Sequence, residues 1–378
     1  LPIVMPAVLS TFLLVFSSCL SSFAVPAFLG TPVRFQVLST QLYRTLNGIN
    51  PGYGYIIAFS MIVMGVLIMA ANQWFIGTRK SFTTVTGKSS NIALFKLRGL
   101  RTPLSAGIVV LLTAIAVLPL ITFAIESFVL APGDYSLKNF TTIFWVGEGS
   151  VDVGGGEPGI LLNSYVWLGL WNSVRLSLVV ALIAGTVGGL AGYAIVKGRG
   201  TRLAGFVNNL AFFPYLMPSM AFGAIYLSMF AKPIGFIPSL YGTFALLVIV
   251  GSVKYLPYAS RAGTNAMLQL SGQIEEAAVM LGVPWWKRMA YIIFPIQRSS
   301  FLSGYMLPFI SCMRELALFV ILIVPANRVL TTMLFQYNEK GWNQYANAIN
   351  LLIVLIVLLF NYAINKATGA SIDKGIGG

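Results

Sequence analysis

Eight stretches of this chain are apolar for long enough to cross a bilayer, at about 6–29, 54–76, 106–130, 171–196, 203–231, 241–262, 299–323 and 347–367. Composition makes lipid the natural solvent for them. Hydrophobic residues are 57% of the chain and charged ones 9%, against about 25% charged in soluble domains. The sequence therefore predicts an all-α polytopic membrane protein with about eight transmembrane helices. Pro214 and Pro218, inside the fifth run, are tolerated in membrane helices more than in soluble ones.

Charge sets the direction of the spans. The formal net charge is +14, yet the cations form no basic patch or aromatic-interleaved stripe, which argues against a nucleic-acid partner. Arg79, Lys80, Lys88, Lys96, Arg98 and Arg101 follow the second run, and Lys197, Arg199 and Arg202 follow the fourth. Lys254, Arg261, Lys287, Arg288 and Arg298 are assigned to the loop after the sixth. The intervening segment 131–170 is instead acidic and Gly-rich, with Asp134, Glu148, Asp152 and Glu157. Cytoplasmic loops carry the excess of Lys and Arg, so every second loop, and both ends, are expected in the cytoplasm.

Little here can do chemistry. There is no histidine, and the two cysteines, Cys19 and Cys312, lie in apolar runs, so most zinc, haem and His-based catalytic schemes are removed and no catalytic or metal residue is assigned. The cysteines read as small packing residues at matching helix interfaces. The run GTVGGLAGY starting at Gly185 lacks the Lys-Ser/Thr of a phosphate loop and lies in a span, which points to close helix packing. Glu126 reads as a solvated helix end. The stretch FFPYLMPSM (212–220) is either a solute-path lining or a Pro-kinked packing segment. Arg314 and Glu315 are expected as adjacent charges inside the seventh span, and either tie helices together or shape an outer gate or entry path.

The chain repeats itself. Shifting it by 293 residues aligns 1–29 with 294–322, with ten identities in 29 positions, Cys19 on Cys312 among them, where roughly three are expected by chance. Spans one and two then correspond to spans seven and eight in the same orientation, which is a parallel repeat about an axis along the membrane normal. The expected organisation is 1–99, the last two spans of a first six-span half plus a cytoplasmic linker, and 100–378, a complete second half. The first half then lacks four spans, or roughly 200 residues, upstream of Leu1.

The loop after the sixth run reads SGQIEEAAVMLGVPWWKRMAYIIFPIQ from Ser271 to Gln297. Ser271 is a candidate N-cap, and Glu275 and Glu276 fall in the first turn. Ile274, Ala277, Ala278 and Leu281 recur at helical spacing, Gly282 is a stop signal, and Pro284 prevents continuation. Trp285 and Trp286 suit a membrane interface. On physical grounds alone, a docking element and an interfacial anchor fit equally well.

The spacing Glu276-Ala277-Ala278, three residues, Gly282, nine residues, Ile292, Phe294, Pro295 resembles the EAA loop of ABC importer permeases, departing only at Phe294, where that loop has Leu. The resemblance implies a coupling role for Glu275, Glu276, Ala277, Ala278, Gly282, Ile292 and Pro295 against a separate ATPase. SSFAVPAFLG (21–30), TTVTGKSS (83–90) and MREL (313–316) are similar to the fused two-half iron(III)-type group, whose relatives handle polyamines, thiamine and phosphonates. Such a resemblance implies a non-enzymatic permease in a bacterial inner membrane. Its implied partners are two ATPase subunits carrying ATP and Mg, an extracytoplasmic binding protein, and lipid. Its implied solute is ferric iron. A secondary transporter is expected to carry more ionisable residues at mid-membrane. An intramembrane enzyme needs a nucleophile–base pair or metal cluster, and the absence of histidine counts against it.

Overall fold

A computed structural model describes residues 5–77, 98–233, 235 and 238–368. Arg79, Lys80, Lys88, Lys96 and the phrase at 83–90 lie outside the described residues, as do Leu1 and Pro2. The chain runs through α1 (Met5–Ser21), α2 (Leu38–Leu46), α3 (Pro51–Gly77) and α4 (Arg101–Glu126), then an irregular segment holding the short α5 (Ile143–Val146). Next come α6 (Ser164–Lys197), α7 (Arg202–Leu216), α8 (Ser219–Phe230) and α9 (Phe244–Gln269). The loop contains α10 (Gly272–Met280), α11 (Trp285–Arg288) and α12 (Phe294–Ile296), and the chain closes with α13 (Arg298–Met313), α14 (Leu330–Glu339) and α15 (Asn343–Thr368). Among the described residues there is no strand, only two isolated bridges.

Each expected span falls on helix, but not every span is one helix. Among the described residues four helices are long and apolar enough to cross a membrane on their own, within α3, α4, α6 and α15. α7 and α8 together make a fifth, bent by 105° at Met217-Pro218. The run 203–231 is thus broken, because Pro218 has no N–H to continue the ladder. The runs 6–29 and 299–323 are not continuous helices either, since α1 stops at Ser21 and α13 at Met313. Arg314 and Glu315 therefore stand at the end of α13 and in the turn after it, not inside a span. α9 continues to Gln269, so Lys254 and Arg261 belong to that helix rather than to the loop.

α6, α9 and α13 pack together at the centre, and small residues bring them close. A Cβ at Gly188 would sit 2.5 Å from the Ala259 Cβ, and one at Gly192 would run into Thr264, so these contacts admit only hydrogen. The Gly-rich run is a packing face, as expected. Cys312 is buried at such a contact, whereas Cys19 is exposed, so the cysteines do not share an environment. Glu126 is half-buried at the end of α4 and accepts a hydrogen bond from the Tyr135 hydroxyl at 2.6 Å.

The internal repeat is built bond by bond. α1–α3 match α13–α15 in order and approximate length. The offset is 293 residues as far as Pro32/Pro325, and 292 from Val37/Val329 onward. The extra residue falls beside Arg34, whose φ of +59° takes up the slack. Thr40 Oγ1 accepts the Val37 N–H (3.0 Å), and Thr332 Oγ1 accepts the Val329 N–H (3.2 Å), fixing the start of α2 and α14 identically. The Ser39 hydroxyl donates to the Ser22 carbonyl (2.7 Å), and the Thr331 hydroxyl donates to the Glu315 carbonyl (2.8 Å). These bonds turn α2 and α14 back against the ends of α1 and α13. One hydrophobic core, including Phe23, Leu42, Met61, Leu176, Leu246 and Phe335, joins the two copies.

Candidate functional site

The segment from Ser271 to Gln297 folds into short helices, α10 to α12, between α9 and α13. α10 ends as the sequence requires: the Val283 N–H reaches the Ala278 carbonyl (3.0 Å) and the Gly282 N–H reaches Val279 (2.9 Å). That pairing needs a left-handed residue, and Gly282 has φ +71°. Ser271 occupies the N-cap position without a side-chain bond. Ile274, Ala277, Ala278 and Leu281, expected on one face, do not share an environment. Only Glu275 and Ala278 are buried, while Ile274, Glu276 and Ala277 face out and Met280 and Leu281 are 88% and 82% exposed. Ile274, Val279, Met280 and Leu281 leave α10 with an exposed apolar edge. Ile292 is half-buried and Pro295 exposed in the return segment.

Glu275 points the other way. Its carboxylate meets Lys197 Nζ at 2.6 Å, accepts the Tyr193 hydroxyl at 2.6 Å, and has Arg288 Nε at 3.8 Å. Burial pushes this carboxyl up, but the bonds from Lys197 and Tyr193 and the nearby Arg288 outweigh it and hold the group below the usual carboxylate range. Trp285 meets Tyr193 edge to face, and Arg288 Nη1 donates to the Val283 carbonyl (3.1 Å), so α11 is tied to α6 and to the turn after α10.

A second polar site lies where α1, the bend between α7 and α8, α9 and the end of α13 meet. A cavity of about 150 Å³ is lined by Ser17, Ser18 and Ser21 of α1 on one side. Tyr215, Ser219, Lys254, Tyr255, Tyr258 and Glu315 line the other. Lys254 is buried and donates to the carbonyls of Pro214 (3.1 Å) and Met217 (2.6 Å), the groups orphaned where α7 breaks. Its neighbour Tyr255 donates to Glu315 Oε2 (2.6 Å), while Glu315 Oε1 accepts the Leu318 N–H (3.0 Å) after α13. Glu315 is thus in this cavity. Arg314 is not: it is exposed and lines a separate, more apolar cleft of about 380 Å³ with Phe28, Asn350 and Ile353. The stretch 212–220 makes the bend and also supplies Tyr215 and Ser219 to the cavity. Sequence reasoning missed Lys254 and Tyr255. The available signal was a lysine ten residues inside α9, opposite a proline-rich break. Among the described residues no three His, Cys, Asp or Glu side chains come together as a metal site.

The described residues form an internally duplicated bundle of long apolar helices that carries the short helix α10 at one end. Residues 184–370 match the family described as binding-protein-dependent transport system inner membrane component. Over 95% of its length the chain is 27% identical to the ferric transport system permease protein FbpB of Actinobacillus pleuropneumoniae, covering 50% of that relative. A phosphate transport system permease protein PstA of Pasteurella multocida is 26% identical over 55% of the chain and 76% of its own length. The chain spans about half the length of the FbpB relatives it matches. In fold it is similar to a crystal structure of a bacterial ABC transporter involved in import of the acidic polysaccharide alginate, with a TM-score of 0.53 at 13% identity, covering 72% of this chain and 99% of that one.

Proposed function

We propose that the chain is the translocating subunit of a ferric-iron importer driven by ATP hydrolysed elsewhere. One observation carries the transport mechanism: a nine-residue helix outside the bilayer with an exposed apolar edge and a buried glutamate tied to a membrane helix. Such a helix can receive a push from a soluble ATPase and pass it inward. Two ATPase subunits, binding ATP and Mg, would dock on this face through Glu276, Ala277 and the neighbouring apolar residues. A binding protein would deliver the solute on the opposite side. The iron assignment is supported by the ferric permease relative, whose 27% identity extends along nearly the whole chain. In this reading 1–99 is the end of one permease half and 100–378 is the other. Glu315, in the cavity between the copies, lies on the solute's path, and Arg314 lies beside its outer end.

The test is uptake into proteoliposomes holding the native carrier with its ATPase, given ferric-loaded binding protein. Expected is radiolabelled iron entry that requires ATP and binding protein together. Entry driven by an ion gradient without ATP would overturn the mechanism. ATP-driven entry of phosphate, polyamine, thiamine or phosphonate in place of iron would overturn the solute alone.

A further inference from the structure

Glu275 sits one residue before the Glu-Ala-Ala triplet, yet it does not share that triplet's exposed side. It is the charged group of α10 that faces the membrane domain, and both of its shortest contacts, Lys197 and Tyr193, come from α6. Residues four apart lie on one face of a helix, so the last turn of α6 presents a two-pronged grip to one carboxylate. The other end of α6 is gripped as well. Ser173 Oγ accepts the Leu330 N–H (2.8 Å), Asn172 Nδ2 donates to the Arg328 carbonyl (3.1 Å), and Asn163 Nδ2 donates to the Tyr337 hydroxyl (3.3 Å). Those partners frame α14, on the side of the molecule opposite the basic loops. Between the two ends α6 is one unbroken helix of 34 residues, unlike its neighbours α7 and α8, and glycines press it against α9.

We infer that Glu275 is a positioning residue that joins the docking helix to α6, and that α6 carries the displacement of α10 to α14 as a rigid rod. The inference rests on the ABC-importer reading. Coupling over this distance needs an element that moves as a unit and is held at both ends, which α6 provides. The exposed Glu276 has no such inward contact. Docking and transmission therefore fall on adjacent residues: the triplet's outer side meets the ATPase, and Glu275 passes the movement on.

The experiment uses the native carrier with its ATPase and binding protein in proteoliposomes, reading solute uptake per ATP hydrolysed alongside ATPase co-purification. Glu275→Lys and Lys197→Glu should each lower that ratio about tenfold while the ATPase stays bound, and the double exchange should restore most of it. Glu275→Gln, which keeps the shape and the Tyr193 bond, should lower it by about fivefold and keeps the idea testable if a reversed charge blocks assembly. A wild-type ratio in Glu275→Gln, or assembled single variants whose loss the double exchange does not relieve, would overturn the joint. Wild-type carrier without ATP-dependent uptake would instead overturn the importer reading beneath it.

Discussion

Tyr43 and Phe335 occupy the same position in the two copies of the repeat, and their rings meet edge-on with centroids 5.5 Å apart. In a two-fold arrangement a residue touches its own counterpart only beside the axis. The axis relating α1–α3 to α13–α15 therefore passes between these rings. Phe23 packs on both, at 5.4 Å from each, and Phe28 adds a fourth ring at 5.8 Å from Phe335. The aromatic cluster, with Tyr43 from α2 and Phe335 from α14, lies along the line between the two copies.

Tethering that line shut should stop transport. A Tyr43→Cys, Phe335→Cys carrier treated with a short thiol-cleavable crosslinker is expected to lose uptake and to regain it on reduction. The single cysteine variants should be insensitive to the reagent. Full uptake by the crosslinked double variant would remove the cluster from the solute's route.

The glycine contacts differ in what they tolerate. Gly188→Ala would drive a methyl against Ala259 and should cost about 1–3 kcal/mol, seen as a lower apparent melting temperature in detergent and a poorer yield. Gly205, also in a helix, has nothing within 4 Å of where its Cβ would stand, so Gly205→Ala should be neutral or stabilise by up to about 1 kcal/mol. Equal melting shifts in the two would refute the close-packing account.

Gly282 presents a cleaner case, because its surroundings are open and only its φ matters. Gly282→Ala should strain the end of α10 by about 1–2 kcal/mol and reduce uptake per ATP, and Gly282→Asp should do so more strongly. Gly282→Asn, which enters the left-handed region more readily, should fall between Ala and wild type. Uptake indifferent to all three would mean that the turn after α10 has no part in coupling.

Lys254→Met would leave the Pro214 and Met217 carbonyls unpaired in the membrane layer, each at about 1–3 kcal/mol. The expected result is a carrier that inserts poorly and melts early. Glu315→Gln keeps an acceptor for the Leu318 N–H and should assemble normally while changing uptake. If Glu315→Gln and Arg314→Ala both transport as wild type, neither residue is on the path.

Local features of the chain are legible in its residues, and phase and continuity are less so. The turn at Gly282 comes from neighbouring residues alone, and the structure shows it. The direction of Glu275 does not, because a nine-residue helix with small and apolar residues on both sides leaves its inward face undetermined. The breaks after Ser21 and Met313 are hidden by composition: 316–324 reads LALFVILIV, as apolar as any span, and hydropathy does not separate a buried turn from a helix. Cations usually mark span ends, and that regularity puts Lys254 in a loop. What keeps it inside α9 is a pair of carbonyls from a distant bend, which no local pattern reveals. Residues 1–29 carry the repeat in sequence, while the contact between counterparts Tyr43 and Phe335 comes only from tertiary geometry.

The bonds from Ser39 to Ser22 and from Thr331 to Glu315 hold the same corner in both copies, yet each acceptor is a main-chain oxygen. A main-chain acceptor places no demand on the side chain it belongs to. After a duplication, then, this corner could drift in character without coming apart: one copy has a serine there and the other a carboxylate. The architecture can stay symmetric while its chemistry becomes lopsided, and a single sequence change at such a position can alter what one half does without a compensating change in the other.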